Sequence, residues 1–360
     1  MTPDWLIVGA GFTGCVLAER LAAAGKRVTL VDRRPHLGGN AYDALDAHGV
    51  LIHPYGPHIF HTQSQAVWDY LSRFTTWRPY EHRVLAEVDG RLIPLPFNLT
   101  ALRACFPGSD LEDRLLVRFG AGARVPILKL REEPDFAELA EWIYQRVFLP
   151  YTLKQWGVGP EELDPGVTGR VPVVLSEDDR YFPDRFQAMP AQGYTAMFER
   201  MVAGIDVRLG VDFLAGGLAY DRLVFTGPID AYFGFKHGHL PYRSLNFAHE
   251  HRDVEWVQPV AVVNFPQAPA ITRRTEFKHL TGQVAPGTSL CLETPLAHED
   301  GVTEPYYPLA APGPRAMLAR YREEAAAVAP RVMFAGRLAD YQYYNMDQVV
   351  ARALTLAASL

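Results

Sequence analysis

The chain has 360 residues, of which 48% are hydrophobic and 21% are charged. This is a globular composition, and the length is sufficient for a large buried core and two or three domains. The net charge of −6 excludes the basic surface that nucleic-acid binding requires, so individual arginines must bind any phosphate.

Three cysteines, Cys15, Cys105 and Cys291, are odd in number and far apart in the sequence. Their spacing matches neither a disulfide framework nor a zinc site, so we predict no bound metal and a reducing, cytoplasmic location. The N-terminus lacks the basic start of a signal peptide, and no apolar run reaches the ~18 residues of a membrane span.

The first 32 residues predict a dinucleotide-binding βαβ unit. An apolar run at 5–8 indicates a buried strand, residues 15–24 a helix, and residues 27–31 a second strand that ends at Asp32. Between the first strand and the helix lie three spaced glycines, Gly9, Gly11 and Gly14. In such units the glycines permit a tight turn, close approach of a pyrophosphate and close helix packing, while the acid binds a ribose.

The residues after Asp32 bear on which dinucleotide is bound. Arg33 and Arg34 would suit the 2′-phosphate of NADP. The pair Gly38-Gly39, followed by Asn40, resembles instead the extended fingerprint of FAD-binding proteins of the glutathione-reductase type. We therefore favour FAD.

Turn residues organise the segment from 43 to 96. A short hairpin is predicted around Asp46, and the alternating pattern around Asp89 predicts a second hairpin over residues 83–96. Between them, a Gly-Pro loop carries His58 among aromatic residues, and residues 64–74 have helical periodicity.

Residues 98–165 predict an inserted helical domain. Helices are expected to run to residues 119 and 147, the second one after a cap at Asp135. An aromatic segment follows, in which we predict residues 151–157 to form a loop and Trp156 to be a partly exposed ring over a ligand.

The remainder of the chain alternates between strands and helices. Strands are expected at 169–175, 242–250, 260–265 and 276–278, and helices at 194–203, at 314–328 and after residue 341. The buried strands at 223–228 and 332–337 contain glycine at or near their ends, where the backbone could approach a cofactor closely.

Together these motifs resemble the UDP-galactopyranose mutases, a family of flavoenzymes. The matching segments follow in order over nearly the whole chain, at 9–14, 38–43, 55–62, 151–157, 170–173, 186–190, 226–233, 305–308 and 336–347. The resemblance implies an α/β fold with a Rossmann-like FAD-binding domain, a helical insertion domain and an antiparallel β-sheet domain.

We assign the domains as follows. The discontinuous FAD-binding domain comprises 1–76, 190–235 and 325–360, and the helical domain that binds and covers the substrate comprises 98–165. The sheet domain comprises 77–97, 166–189 and 236–324.

The resemblance also implies an activity, the interconversion of UDP-galactopyranose and UDP-galactofuranose by an isomerase. In this chemistry N5 of reduced FAD attacks the anomeric carbon and expels UDP, and the sugar opens as an iminium and recloses on another hydroxyl. The family further implies a reductant such as NAD(P)H, a homodimer and a role in cell-surface polysaccharide biosynthesis.

Site residues carry over by motif. The resemblance implies catalytic roles for His58, Arg170 and Arg273, in addition to N5 of the flavin as the nucleophile. Phe148 and Tyr151 would enclose the uracil, Arg170 and Arg273 would grip the diphosphate, and the other substrate contacts would be His82, Trp156, Tyr181, Tyr307, Tyr343 and Asn345. The implied FAD contacts are Gly9, Gly11, Phe12, Thr13, Gly14, Asp32, Arg33, Gly38, Gly39, Asn40, His58, Ile59, Phe213, Gly227, Gly336, Arg337, Tyr344, Asn345 and Met346.

Three positions depart from the commoner bacterial pattern of this family. His82 and Asn345 replace a frequent Asn and Asp, and Val147 replaces a frequent Phe. They are either neutral variation or the mark of another nucleotide sugar, such as a dTDP-hexose.

Two further alternatives remain open. A flavin oxidase or dehydrogenase of the amine-oxidase type would share the nucleotide fingerprint, but it would not need two arginines, a tryptophan and several tyrosines suited to a diphosphate. A non-catalytic sensor of FAD or nucleotide sugar would show no dependence on redox state.

Overall fold

A computed structural model describes residues 2–164, 171–309 and 311–360. The strands in these ranges are β1 Trp5–Val8, β2 Val28–Asp32, β3 Ala44–Leu45, β4 Leu51–Ile52, β5 Phe60–Thr62, β6 Trp77–Pro79, β7 Val84–Val88, β8 Arg91–Leu95, β9 Arg124–Val125, β10 Val173–Val174, β11 Phe186–Pro190, β12 Asp206–Leu209, β13 Arg222–Phe225, β14 Tyr242–Arg252, β15 Val262–Asn264, β16 Arg273–Glu276, β17 Thr288–Ala297, β18 Tyr307–Pro308 and β19 Val332–Phe334. The α-helices are α1 Phe12–Ala23, α2 Gln65–Leu71, α3 Leu99–Cys105, α4 Leu111–Phe119, α5 Ile127–Leu130, α6 Ala137–Ile143, α7 Leu149–Trp156, α8 Gly193–Met201, α9 Ile229–Tyr232, α10 Phe277–Thr281, α11 Arg315–Val328 and α12 Met346–Ala357.

A parallel sheet with the order β12-β2-β1-β13-β19 forms the nucleotide-binding layer. Val8 at the end of β1 is in register with Val31 on one side and with Phe225 on the other, so the carboxyl ends of three strands meet at one edge. Ligands of open parallel sheets bind at this edge. The predicted Rossmann-like α/β fold is confirmed.

Two glycines make the turn between β1 and α1 possible. Gly9 has a φ of +102°, and a Cβ there would overlap the side-chain hydroxyl of Thr226. A Cβ at Gly14 would overlap the carbonyl oxygen of Gly9. The helix can therefore start directly behind the strand only with glycine at both positions.

A second, mixed sheet has the order β18-β14-β17-β16-β15-β7-β8. Adjacent strands in this sheet run antiparallel, as predicted, except for the pair β7 and β15, which is parallel. Strand β17 was not among the predicted elements. The strand predicted at 276–278 is wrong in its position, because β16 ends at Glu276 and helix α10 begins at the next residue.

The helical insertion continues further than predicted. Between α6 and α7 lies a π-helical segment, Tyr144–Phe148, and Pro150 stands in the first turn of α7. Proline lacks the N–H of a regular helical hydrogen bond, and the wider π-turn accommodates that loss without ending the helix. The predicted loop at 151–157 is therefore wrong; residues up to Trp156 are helical, and Gly157 ends the helix with a φ of +75°.

One large apolar core joins the three predicted regions, since it contains Leu17, Leu95 and Ile143. The predicted domain boundaries stay predictions. None of the helices in the described parts of the chain combines the length and the apolar character that a membrane span requires.

Candidate active site

A cavity of about 460 Å³, called the large cavity below, opens at the carboxyl edge of the parallel sheet. Most of the predicted cofactor residues line it, namely Gly9, Gly11, Phe12, Thr13, Gly14, Asp32, Arg33, Gly38, Gly39, Asn40, His58, Phe213, Gly227, Gly336, Arg337 and Met346. Ile59, Tyr344 and Asn345 are not among its lining residues. One wall consists of residues from 298 to 306, and of these the sequence motifs pointed only to Pro305 and Tyr306.

The N-terminus of α1 faces this cavity and suits an anion. The helix starts after Gly11 without a side-chain cap, and its first turn contains no acidic residue. Its first N–H groups and the positive end of its dipole are therefore available to phosphates. A Cβ on Gly11 would come within 3.8 Å of Gly39, so the two glycine motifs lie side by side.

Asp32 braces the turn and keeps acceptor capacity. Its carboxylate accepts hydrogen bonds from the backbone of Ala10 at 2.7 Å and of Arg34 at 2.8 Å. A carboxylate has about four acceptor positions, so it can also receive ribose hydroxyls.

The two arginines that suggested NADP are both paired with one acid. Arg33 forms an ion pair with Glu304, and Arg34 lies 3.0 Å from the same carboxylate while donating to Asn40 at 2.8 Å. This pairing lowers the positive charge that a 2′-phosphate would need, which supports FAD over NADP.

His58 faces the cavity from the Gly-Pro loop. Its Nδ1 lies 2.9 Å from the carbonyl oxygen of Gly56, and its backbone N–H donates to Nδ1 of His53 at 3.1 Å. A carbonyl only accepts, so Nδ1 of His58 carries the proton and Nε2 is the acceptor. Burial, helped by His53, Arg337 and Arg273, lowers the pKa of His58 to about 3, so the ring is neutral at physiological pH.

A smaller cavity of about 110 Å³ lies between α7 and the mixed sheet. Four of the predicted substrate residues line it, Phe148, Tyr151, Trp156 and Tyr181, together with Asn264 and Pro266. Trp156 is only 8% exposed, so the predicted partly exposed ring is wrong.

An aromatic cluster connects the two cavities. The Trp156 ring packs edge-on against Tyr343 at 5.4 Å and lies 6.0 Å from Tyr307. The guanidinium of Arg337, in the wall of the large cavity, lies 5.5 Å from the ring of Tyr307 and 5.8 Å from that of Tyr343. Residues that are far apart in sequence thus link the walls of the two cavities.

Arg273 is held by a buried acid that the sequence analysis missed. Nε of Arg273 lies 2.7 Å from the carboxylate of Glu293, whose side chain is completely buried. Although burial opposes the charge, the Glu293 carboxylate raises the pKa of Arg273 well above its ordinary value. An acid directly after the apolar residues 290–292 was the available indication.

His82 is also buried beside this site. Its Nδ1 lies 3.1 Å from the hydroxyl of Tyr80, and its ring packs edge-on against Tyr181. Burial, with Arg273 and His61 acting in the same direction, lowers the pKa of His82 to about 3.

Three predicted or divergent positions remain to be placed, and the structure describes two of them. Val147 lines the smaller cavity, and Asn345 caps α12 together with Gln348. Arg170 lies outside the described residues, and so its role stays a prediction. Within the described ranges, no group of three or more His, Cys, Asp or Glu residues is arranged to hold a metal ion.

Comparison with known proteins decides the family. Residues 146–343 match the family model described as UDP-galactopyranose mutase, and residues 7–74 match that of an NAD(P)-binding Rossmann-like domain. The chain is 38% identical to the UDP-galactopyranose mutase of Mycoplasma pneumoniae, over 99% of this chain and 96% of that protein. The chain belongs to the UDP-galactopyranose mutase family, a family of isomerases.

Two further relatives are also named as mutases of nucleotide sugars. A probable UDP-galactopyranose mutase of Klebsiella pneumoniae is 36% identical over 98% of this chain and 93% of that protein. A dTDP-fucopyranose mutase of Escherichia coli is 32% identical, over 98% and 97% of the two chains.

Solved structures agree on the fold. A reduced UDP-galactopyranose mutase matches with a TM-score of 0.73 at 17% identity, over 99% of this chain and 93% of that chain. A putative protoporphyrinogen oxidase from Exiguobacterium matches with a TM-score of 0.65 at 16% identity, over 100% of this chain and 98% of that chain. Membership of the mutase family implies FAD as the cofactor, and the glycine turn, the uncapped helix and Asp32 fit that dinucleotide.

Proposed function

We propose that this protein interconverts the pyranose and furanose forms of UDP-galactose with reduced FAD as cofactor. The observation that carries the proposal is the chain of side-chain contacts from Arg337, in the wall of the large cavity, through Tyr307 and Tyr343 to Trp156, in the wall of the smaller one. A dinucleotide in one cavity and a nucleotide sugar in the other would meet at this aromatic cluster. When bound and reduced, the flavin supplies a nucleophilic nitrogen for the anomeric carbon of the sugar.

The protein's part is to bind and orient the nucleotide sugar. Arg273 presents Nε to Glu293, and its two terminal nitrogens then remain as donors for a diphosphate. Arg170 is the proposed second arginine of this clamp. Phe148 and Tyr151 line the smaller cavity, where flat aromatic faces can enclose a uracil ring.

His58 is proposed to act at the cofactor end of the site. Its neutral ring presents Nε2 as an acceptor toward the large cavity, because Nδ1 is bonded to Gly56. A neutral acceptor can receive a hydrogen bond from a sugar or cofactor N–H or O–H without adding charge. Its role is therefore to orient the reacting groups, while Arg273 neutralises the departing diphosphate.

The deciding experiment incubates purified, FAD-loaded protein with UDP-galactofuranose, with and without dithionite, and follows UDP-galactose by chromatography. We expect conversion only after reduction, with many turnovers per reducing equivalent, because the reaction has no net redox change. Conversion by the oxidised protein, or consumption of one equivalent of reductant per product, would contradict the proposal. An oxidase or dehydrogenase would form an oxidised product in place of UDP-galactose, and a sensor would form no product.

A second candidate is the same chemistry on a dTDP-linked hexose. His82, Val147 and Asn345 differ from the commoner family residues, and the similarity to the dTDP-fucopyranose mutase extends over nearly the whole chain. Rates with UDP-galactose and with dTDP-fucose, measured in parallel with reduced enzyme, distinguish the two. The homodimer and the cytoplasmic location stay predictions.

A further inference from the structure

Lys154 lies on α7, two residues before Trp156, and its ammonium group is bound by main-chain oxygens. Nζ donates to the carbonyls of Phe265 at 2.5 Å, Ala268 at 2.7 Å and Ile271 at 3.0 Å. An ammonium group has three N–H donors and no acceptor, so these three bonds satisfy it completely. All three carbonyls belong to the loop between β15 and β16.

The same loop forms the wall of the smaller cavity opposite α7. Tyr151 and Trp156 come from the helix, whereas Asn264 is the last residue of β15 and Pro266 lies in the loop that follows it. The far end of the loop leads directly into Arg273. The bonds of Lys154 therefore join both walls of the smaller cavity and the strand that carries the proposed diphosphate arginine.

Arg243 on β14 fixes the end of the same helix. Its Nε and Nη2 donate to the carbonyls of Gln155 and Lys154, both at 2.9 Å. The last carbonyls of a helix have no partner within the helix, so a cation there completes their hydrogen bonding. Helix α7 is thus held at its C-terminal end on two sides.

The charged groups near this region are Arg243 on β14, Arg274 on β16 and Asp89 in the turn after β7, which accepts a hydrogen bond from Gln267 of the loop at 2.9 Å and pairs with Arg146. The guanidinium of Arg274 lies 5.4 Å from the ring of Phe265. Within the described ranges no carboxylate pairs with Lys154. Burial accordingly lowers the pKa of Lys154 to about 8.

We propose that Lys154 is a positioning residue for the nucleoside diphosphate, because it sets the separation of the cavity walls and the placement of Arg273. This inference rests on the proposed function, in that the ligand is a nucleoside diphosphate. Lys154 acts through the loop at 265–271 and does not itself contact the ligand.

The test compares Lys154→Met and Lys154→Arg with the wild type. Methionine keeps the length of the side chain but removes all three donors, whereas arginine keeps the charge and the donors. Lys278→Met is the control, because Lys278 donates to the carbonyl of Ala285 at 2.9 Å, lines neither cavity and is fully buried, whereas Lys154 is half-buried.

Affinity for UDP, and in parallel for dTDP, is measured by calorimetry on oxidised, FAD-loaded protein. At neutral pH we expect Lys154→Met to weaken binding at least about tenfold, the scale of losing a buried charged hydrogen-bond group. Lys278→Met should lower the Tm but leave the affinity unchanged. Wild-type affinity in Lys154→Met would overturn the proposal.

The pH dependence separates positioning from a general loss of stability. As the pH rises through about 8, the wild type should lose affinity because the neutral amine has only two donors for three carbonyls. Lys154→Arg should not show this loss of affinity near pH 8, since arginine stays charged. Deprotonation of the uracil or thymine base of the ligand affects both proteins equally. Identical pH profiles would overturn the proposal, and a wild type that binds neither nucleotide would overturn the proposed function as well.

Discussion

Arg273 and Glu293 lie directly opposite each other on β16 and β17, with Nε of the arginine 2.7 Å from the carboxylate. The carboxylate is completely buried and also faces the His58 loop, since a Cβ on Gly56 would lie 3.2 Å from Oε1. The pair therefore connects the proposed diphosphate site with the loop beside the cofactor cavity. The contact involves Nε of the guanidinium, and we propose that the two terminal nitrogens bind the ligand.

Replacement of Arg273 by alanine should weaken UDP binding at least about tenfold while FAD stays bound. The change removes a diphosphate donor and leaves the Glu293 carboxylate buried and unpaired, which typically costs about 3–5 kcal/mol. Calorimetry gives the affinity, and the visible flavin spectrum gives the cofactor content. We predict the same loss of UDP affinity for Arg170→Ala.

A double variant, Arg273→Ala with Glu293→Gln, separates binding from stability. Glutamine removes the unpaired charge, so the Tm should rise relative to Arg273→Ala, but UDP affinity should stay low. If the double variant recovers wild-type affinity, Arg273 does not bind the diphosphate.

Binding of UDP should change the fluorescence of Trp156 and protect the chain beyond Gly157. Trp156 lines the smaller cavity at the end of a fixed helix, so a ligand there alters its surroundings directly. The rate of cleavage by a glutamate-specific protease at the exposed residues Glu161 and Glu162 measures how accessible the chain after Gly157 is. The interpretation is wrong if Trp156→Phe keeps the full fluorescence change and UDP does not slow cleavage.

Replacement of His58 by alanine should lower kcat more than it lowers UDP affinity. His58 lies in the wall of the cofactor cavity, and its pKa of about 3 means that its neutral form is present throughout a normal assay range. The pH profile of kcat should therefore show no inflection near pH ~6.5 from this residue. The control is His279→Ala, which lines neither cavity and should leave kcat unchanged. A larger effect on UDP affinity than on kcat would place His58 at the nucleotide instead.

Three histidines with lowered pKa values should make the protein less stable in mild acid. Burial lowers the pKa values of His53, His58 and His82 to about 4, 3 and 3, below the ordinary value of 6.5. In the unfolded chain these rings take up protons as the pH falls through 6.5, but in the folded chain they do so only near the lowered values. The stabilisation is therefore complete above pH 6.5 and is lost as the pH falls from 6.5 toward the folded pKa values.

Each of the three histidines should contribute about 1.4 kcal/mol per pH unit in this range. His82→Asn should reduce the dependence of the unfolding free energy on pH, between about pH 5 and 6.5, by the amount that corresponds to the uptake of one proton. Urea denaturation at several pH values measures that slope. An unchanged slope would show that His82 titrates normally in the folded protein.

Local sequence patterns determined the nucleotide-binding unit. The glycine spacing, the apolar strands and Asp32 act within about 30 residues, and the steric needs of Gly9 and Gly14 leave no other local arrangement. The hairpin around Asp89 was equally predictable, because the turn residues set its register. Motif order also predicted the family, which the comparisons confirm.

Only the tertiary structure decided which residues surround the proposed substrate. Glu293 meets Arg273 through the register of two strands, and Lys154 meets the carbonyls of Phe265, Ala268 and Ile271 more than 100 residues away. Such contacts depend on strand pairing and helix placement, which the periodicity of a single segment does not encode. The burial of Trp156 has the same origin: the sequence indicates its polar neighbours, whereas its exposure depends on the distant Tyr307 and Tyr343.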